Sequence, residues 1–212
     1  MPRWEHGSEE RLKQAAMELF EEQGFEATSA VQIAKRARVT TRTFFRYFSD
    51  KQEILFADSD TLSSVLVQQV SRAADVGEPL QAVTRTLAAF DWESLGPRES
   101  QRRRDAMIAA NAGLLERDLM KQQQMADAFG SALQRRGVDP DSAGLAAQVG
   151  IQVFRRAYRR WLEASDDNAD LAKMTEATLS LLATIVPAGV PPQNGAEPAA
   201  PKRRRVTATP LP

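Results

Sequence analysis

The run TSAVQIAKRARVTTRTFFRYFSDK, residues 28–51, holds two short helical patterns around a break. Ile33, Ala34 and Ala37 fall on one apolar stripe, and Phe44 and Phe48 repeat at the i, i+4 spacing of a buried helix face. Between the stripes lie Ala37, Arg38 and Val39, then the pair Thr40 and Thr41, whose hydroxyls suit a helix N-cap. This is the punctuation of a helix-turn-helix: small Ala34 lets two helices approach, and Val39 and Phe44 fill the angle between them. Charge sets the stretch apart as well. Lys35, Arg36, Arg38, Arg42, Arg46 and Lys51 stand against Asp50, a balance of +5 in a chain that is neutral overall. A basic footprint on a neutral-to-acidic body is the sequence mark of a nucleic-acid face.

The remainder of the composition narrows the class. With 212 residues, 42% hydrophobic and 26% charged, the chain suffices for one large or two small globular domains. No apolar run approaches the roughly 18 residues of a membrane span. The N-terminal MPRWEHGSEERLKQ lacks the apolar core of a signal peptide. There is no cysteine, hence no disulfide and no thiolate site, and a cytoplasmic setting is expected. The single histidine, His6, lies in a polar arm, so neither a catalytic triad nor a histidine-rich metal site is expected. The 11 glycines are scattered without forming a phosphate loop. No nucleophile, base or metal set emerges, so neither an enzyme nor a cofactor is expected.

Outward from residues 28–51 the patterning is helical throughout. Residues 1–7 read as a loose arm in which Trp4 is a packing anchor or a disordered residue. Ser8 reads as the N-cap of a helix whose Leu12, Ala15, Ala16, Leu19 and Phe20 share a face, with Gly24 as its stop. Ser49 and Asp50 open a long helix running to about residue 74, and Asp75 to Pro79 make a turn. Helices follow over Leu80 to Trp92, from Arg98 onward, and from Ala112 to Arg136. Arg102, Arg103 and Arg104 read as a solvated helix face pairing with Glu99 and Asp105, in preference to a second nucleic-acid patch or an anionic-ligand site. Gly137 is a stop; Asp139 and Pro140 start a helix to about Ala164, in which Gly144 and Gly150 allow close approach. Asp166 or Asp167 starts the last helix, and Pro187 ends it. The expected architecture is all-α, about nine helices: a helix-turn-helix head over residues 1–50, a helical body over 51–186, and a disordered Pro-rich tail over 187–212. The tail carries a basic cluster at Lys202–Arg205, which is solvated or adds non-specific phosphate affinity.

The segment GFEATSAVQIAKRARVTTRTFFRYFSDKQEIL, within a match over residues 11 to about 57, resembles the TetR (tetracycline repressor) family of bacterial transcription regulators. The shared pattern is Gly-aromatic, Thr-Ser, Ile-Ala, Ala-x-Val, then the aromatic-rich second helix and a lysine. The resemblance implies a homodimer with one helix-turn-helix head per subunit, a small-molecule pocket in each body, and an interface built by the last two helices, here roughly 140–164 and 167–185. Two such heads enter successive major grooves of a palindromic operator when their recognition helices stand about 34–36 Å apart or slightly more.

Carried onto this sequence, Thr40, Thr41 and Arg42 open the recognition helix, and Arg42 is the first choice for a base contact because arginine pairs bidentately with guanine. Ser29, Thr43, Tyr47 and Lys51 fall at phosphate-holding positions, Lys51 adding its charge to a helix N-terminus. Arg46 holds phosphate or reads a base. Three residues depart from the pattern. Phe45 stands where the family usually has Tyr, and packing on a thymine methyl is open to it. Arg38 stands where the turn usually has Gly, which implies strain if that backbone needs a positive φ. Val31 occupies a position that is often polar, where it touches a base methyl or nothing.

In the body, Phe90, Trp92, Met107, Met120, Met125, Phe129, Phe154, Tyr158 and Trp161 each read either as plain core or as pocket lining. A pocket lined by several of them suits a hydrophobic or amphipathic effector, with Tyr158 and Arg155 as polar handles. The expected function is that of a ligand-responsive DNA-binding regulator, a repressor released when the ligand moves the helix starting at Asp50. The alternative is a helical ligand-binding or scaffold protein of the same fold that does not bind DNA.

Overall fold

The periodic apolar faces fold as helices. A computed structural model describes residues 6–73, 77–166 and 168–185 of the chain. Among these the protein is all-α, with nine α-helices and no strand. The readings at Trp4, Asp75, Asp167, Pro187 and the 187–212 tail lie outside the described residues.

Helix α1 (His6–Gln23) buries Leu12, Ala15, Ala16, Leu19 and Phe20, the five residues of its periodic face. Ser8 is not its cap. It lies inside the first turn, buried, and its hydroxyl accepts from Arg11 Nη2 at 3.2 Å. The helix ends at Gly24, whose φ of +87° is the left-handed conformation that closes a helix. Helix α2 (Ala30–Arg36) starts with a full capping box: Gln32 N donates to Ser29 Oγ, and Ser29 N donates to Gln32 Oε1. It closes with Arg38 N donating to Lys35 O and Val39 N donating to Ala34 O, the two bonds of a Schellman turn. That turn places Arg38 at φ +55°, the one non-glycine described residue with positive φ. Helix α3 (Thr41–Tyr47) begins at Thr40, which accepts from Thr43 N at 3.0 Å, and buries Phe44 completely.

The single helix expected from Ser49 and Asp50 to about residue 74 is not formed. Residues Glu53–Phe56 make a 3-10 turn, and α4 (Ser59–Arg72) begins only after it. The physical reason is the consecutive run Ile54, Leu55, Phe56, at 6%, 5% and 2% exposure. One stripe of an α-helix cannot bury three adjacent side chains. Here they sit among residues of α1, α6 and α7, enclosed from several sides. Asp50 Oδ1 accepts from Glu53 N at 2.8 Å and so closes a short turn instead of opening a long helix.

The body continues with α5 (Pro79–Ala89), a 3-10 turn at Trp92–Leu95, α6 (Arg98–Ala110), α7 (Ala112–Gln134), α8 (Pro140–Glu163) and α9 (Leu171–Ile185). Asp139 caps α8 by accepting from Ser142 N at 3.0 Å, with Pro140 in the first turn. Helix α8 is the hub and packs on α5, α7 and α9. Its approach to α5 depends on Gly150: a Cβ there would lie 2.7 Å from Val83 Cγ1.

Two apolar cores result. One joins α4, α5, α7, α8 and α9, around Leu66, Val83, Phe129, Leu133, Ile151 and Phe154. The other is that of the head, and it crosses residue 50 to take in Ile54, Leu55, Phe56, Ile108 and Leu114. Head and body are thus joined by apolar packing through the 53–56 turn.

Candidate nucleic-acid interface and ligand cavity

The head presents α3 with its buried face fixed by Phe44 and Phe48, whose rings lie 5.8 Å apart. Opposite that face, Arg42 is exposed, and its guanidinium has no partner among the described residues. Phe45 is 55% exposed, its ring edge-on to Phe44, and Val31 on α2 is 60% exposed. Three apolar or cationic side chains therefore face solvent, and of these Phe45 also packs its edge on the core. Thr41 is half-buried. Thr40 and Thr43 share a hydroxyl–hydroxyl bond of 2.8 Å within the cap, and Ser29 is exposed at the N-cap of α2. Arg46 Nη2 donates to Tyr47 Oη at 3.1 Å and lies over that ring, so the two form one unit.

Lys51, expected at a phosphate, has internal partners in this structure. Its ammonium donates to Phe25 O at 2.8 Å, Glu26 O at 3.3 Å and Thr28 O at 3.1 Å. An ammonium has three N–H donors, so all are occupied in tying down the loop between α1 and α2, with the Phe25 ring beneath at 4.3 Å. The helix expected to start beside it at Ser49 and Asp50 is absent, and the helix start it touches is that of α2, through Thr28 O. Arg36 is likewise engaged: it forks onto Glu22 at 2.8 and 2.7 Å and reaches Glu18, and the Glu22 bond is the main cause of its raised pKa. The positive balance of residues 28–51 is thus used in part to hold α1, α2 and the loop between them.

In the body a cavity of about 290 Å³ opens between α4, α6, α7, α8 and the 53–56 turn. Of the expected lining, Trp92, Met125, Phe154 and Tyr158 are found there. Trp92 stacks on Phe154, with centroids 5.0 Å apart and planes at 30°, and Tyr158 lies 5.2 Å from Trp92. The other candidates do not line it. Phe129 is fully buried in the body core. Trp161 is also buried there, its Nε1 donating to Ala169 O at 3.0 Å. Phe90 packs on the core beside Trp92. Met107 packs against the head core, and Met120 is 57% exposed. Large side chains at helical spacing mark a buried face without saying whether a void adjoins it.

The polar wall goes beyond the two expected handles, Arg155 and Tyr158. Arg155, named beforehand as a handle, lines it and pairs with Asp118 at 2.9 Å. Gln101 is buried, donates to Trp92 O and Gly96 O at 2.7 Å each, and accepts from Tyr158 Oη. Burial first, with Asp105 adding, pushes the Tyr158 phenol up to about 12, so it stays protonated. Arg102 and Arg103 are solvated and pair with Glu99 as expected, Arg103 also with Glu21. Arg104 turns inward. Its Nε donates to Leu55 O at 2.7 Å, and Nη2 donates to the same oxygen. Desolvation lowers its pKa, opposed by the charges of Asp118 and Asp105 and by Tyr158. The sequence did carry a signal: Gln101, Arg104 and Ile108 share one helix face.

The link between head and body is pinned from the body side. Arg117 forks onto Asp50 at 3.0 and 3.3 Å and reaches Glu53 at 3.5 Å. Burial tends to raise the Asp50 pKa, but the Arg117 bond and the Glu53 backbone N–H outweigh it and hold the carboxyl below its usual range. Lys13 reaches Asp58 at 2.7 Å from α1.

A capped helix-turn-helix with an exposed recognition helix, set on an all-helical body, defines a DNA-binding regulator of transcription. Residues 12–57 match the profile of bacterial regulatory proteins, tetR family. The head of the chain, residues 12–57, thus carries the helix-turn-helix signature of that family. The chain is 34% identical over 86 residues to the HTH-type transcriptional regulator HbdR of Aromatoleum sp. (strain CIB), covering 39% of this chain and 38% of that regulator. It is 27% identical over 188 residues to the HTH-type transcriptional regulator TcmR of Streptomyces glaucescens, covering 84% and 82% of the two chains. Its fold is also that of native NalD, the secondary repressor of the MexAB-OprM multidrug efflux pump in Pseudomonas aeruginosa. That structure matches with a TM-score of 0.55 at 19% identity, over 84% of this chain and 96% of NalD. No helix among the described residues is long and apolar enough to cross a membrane.

Proposed function

We propose that this regulator is a cytoplasmic, ligand-responsive repressor that binds a palindromic operator as a homodimer and leaves it when a small amphipathic molecule fills the body cavity. The observation that carries the DNA side is Arg42: an exposed, unpartnered guanidinium in the first turn of α3. Thr41, Val31 and Phe45 supply neighbouring contacts to base edges and methyls. Ser29, Thr40, Thr43, Arg46 and Tyr47 position the head on phosphates. The dimer reading rests on α8 and α9, which expose Leu145, Leu181 and Ile185 beside an apolar groove.

The ligand side rests on the cavity and on what adjoins it. The 53–56 turn lines the cavity and belongs to the head core at once. A ligand that prefers one setting of this turn shifts the orientation of the head by that preference.

The test is a gel shift on DNA flanking the protein's own gene, at low and moderate salt. Wild type shifts it, more strongly at low salt because phosphate contacts release counterions. Arg42→Ala weakens binding by about 1–3 kcal/mol and relaxes base preference, the value of one bidentate contact. Equal affinity of the two proteins would remove Arg42 from the readout, and no shift by wild type at low salt would remove this DNA as the operator.

A further inference from the structure

The charged groups of the cavity wall pair off with a single exception. Lys13 pairs with Asp58 at 2.7 Å, Lys121 with Asp60 at 2.7 Å, Arg155 with Asp118 at 2.9 Å, and Asp105 with Arg159 at 3.6 Å. Arg104 has no carboxylate within ion-pair distance among the described residues. Its bonds to Leu55 O use Nε and one N–H of Nη2. A guanidinium has five N–H donors arranged along two forked edges. The edge formed by Nη1 and the second N–H of Nη2 therefore remains. No sealed side-chain nitrogen among the described residues lacks a partner, so Nη1, which donates to none of them, opens on accessible space. Asp118 and Asp105 act on Arg104 only from beyond ion-pair distance, and its guanidinium lies over the Phe56 ring at 5.5 Å; a cation held out of water with no carboxylate in contact is costly, and a ligand anion relieves that cost.

We propose that the cavity takes a small carboxylic acid with an apolar, ring-bearing body, its carboxylate forked on the free edge of Arg104 and its rings against Trp92, Phe154 and Tyr158. This rests on the reading of the cavity as the effector site. The fork favours carboxylate geometry, because two parallel N–H donors match two oxygens. The three rings form one continuous aromatic wall, with centroid separations of 5.0, 5.2 and 5.7 Å. Arg104 is placed to recognise the ligand and to report it. One edge of its guanidinium receives the acid, and the other holds the carbonyl of Leu55 in the turn that joins head to body.

The experiment is calorimetric titration of the full chain with 2-naphthoate and with its neutral twin 2-naphthamide. The acid is expected to bind roughly ten-fold more tightly or better, as a charge-assisted bidentate contact requires. Arg104→Met abolishes the preference, and Arg104→Lys retains part of it. Met125→Trp, which fills the cavity, removes binding of both probes. Equal binding of the twins, both abolished by Met125→Trp, would overturn the carboxylate assignment and leave the effector cavity standing. Binding of neither, or binding that survives Met125→Trp, would overturn both. Should Arg104→Met not fold, judged by its circular dichroism melt, the contrast between the twins in wild type decides alone.

Discussion

Arg38 holds a backbone conformation that its side chain disfavours. At φ +55° its Cβ crowds the following carbonyl, at a cost of roughly 1–2 kcal/mol for an L-residue. The Schellman bonds on either side force that conformation, because Val39 must turn back onto Ala34 before Thr40 can cap α3. Arg38→Gly removes the strain but adds unfolded-state entropy, which returns about 0.4–1 kcal/mol of the gain. The expected result is net stabilisation of up to about 1.6 kcal/mol by those two magnitudes. Urea unfolding checks it through a raised midpoint at unchanged slope; a lowered midpoint would show that the exposed Arg38 side chain contributes more than its backbone costs. The family resemblance pointed to this strain, because Arg38 stands where the turn usually has Gly, and the φ of +55° meets the condition on which it depended. The fate of Lys51 was not legible in sequence. Which of several nearby acceptors an ammonium reaches depends on where the α1–α2 loop lies, and that loop is positioned by Phe25 and Thr28, far from Lys51 in sequence.

Between elements, two glycines of α8 that look alike in sequence behave oppositely. Gly150 faces α5, where an added Cβ would meet Val83 Cγ1 at 2.7 Å and Val83 Cβ at 3.0 Å. Val83 is fully buried and β-branched, so it cannot swing aside. At Gly144 an added Cβ meets nothing within 4 Å. Alanine in a helix interior gains about 1 kcal/mol over glycine from propensity, while overpacking a tight core contact costs roughly 1–3 kcal/mol. Gly144→Ala is therefore expected to raise the melting temperature and Gly150→Ala to lower it. Equal upward shifts in thermal melts would show that α5 yields to the methyl freely. Sequence periodicity located both helices and left these contacts open, since it ranks faces without fixing which residue of a face lies at a crossing. The same gap explains the missed 3-10 turn at Glu53–Phe56. Three adjacent buried apolar residues have no place in a two-sided helical pattern, and only the enclosure by α1, α6 and α7 accounts for them.

At the scale of the whole molecule, the surface left by these elements is uneven. Helix α9 turns Thr175 and Thr178 inward and Leu181 and Ile185 outward, the latter at 58% and 68% exposure. Leu145 on α8 is 64% exposed, and between the helices runs a groove lined by Val149, Val153, Leu181, Leu182 and Ile185. An outward apolar face that two adjacent helices share is stable in water when another surface covers it. In a two-fold dimer the same patch meets its copy, so every substitution is doubled. Leu181→Glu then introduces two carboxylates per dimer into an apolar contact, where unpaired charge is expensive. The expected outcome is a folded monomer by size-exclusion chromatography with light scattering, its helical circular dichroism unchanged. Two heads on one operator gain from effective concentration, which the monomer loses. Leu181→Glu should therefore lose operator affinity together with the dimer, whereas Arg42→Ala should lose affinity as a dimer. A dimeric Leu181→Glu protein would place the interface elsewhere on the molecule, and a monomer with full operator affinity would separate DNA binding from dimerisation altogether.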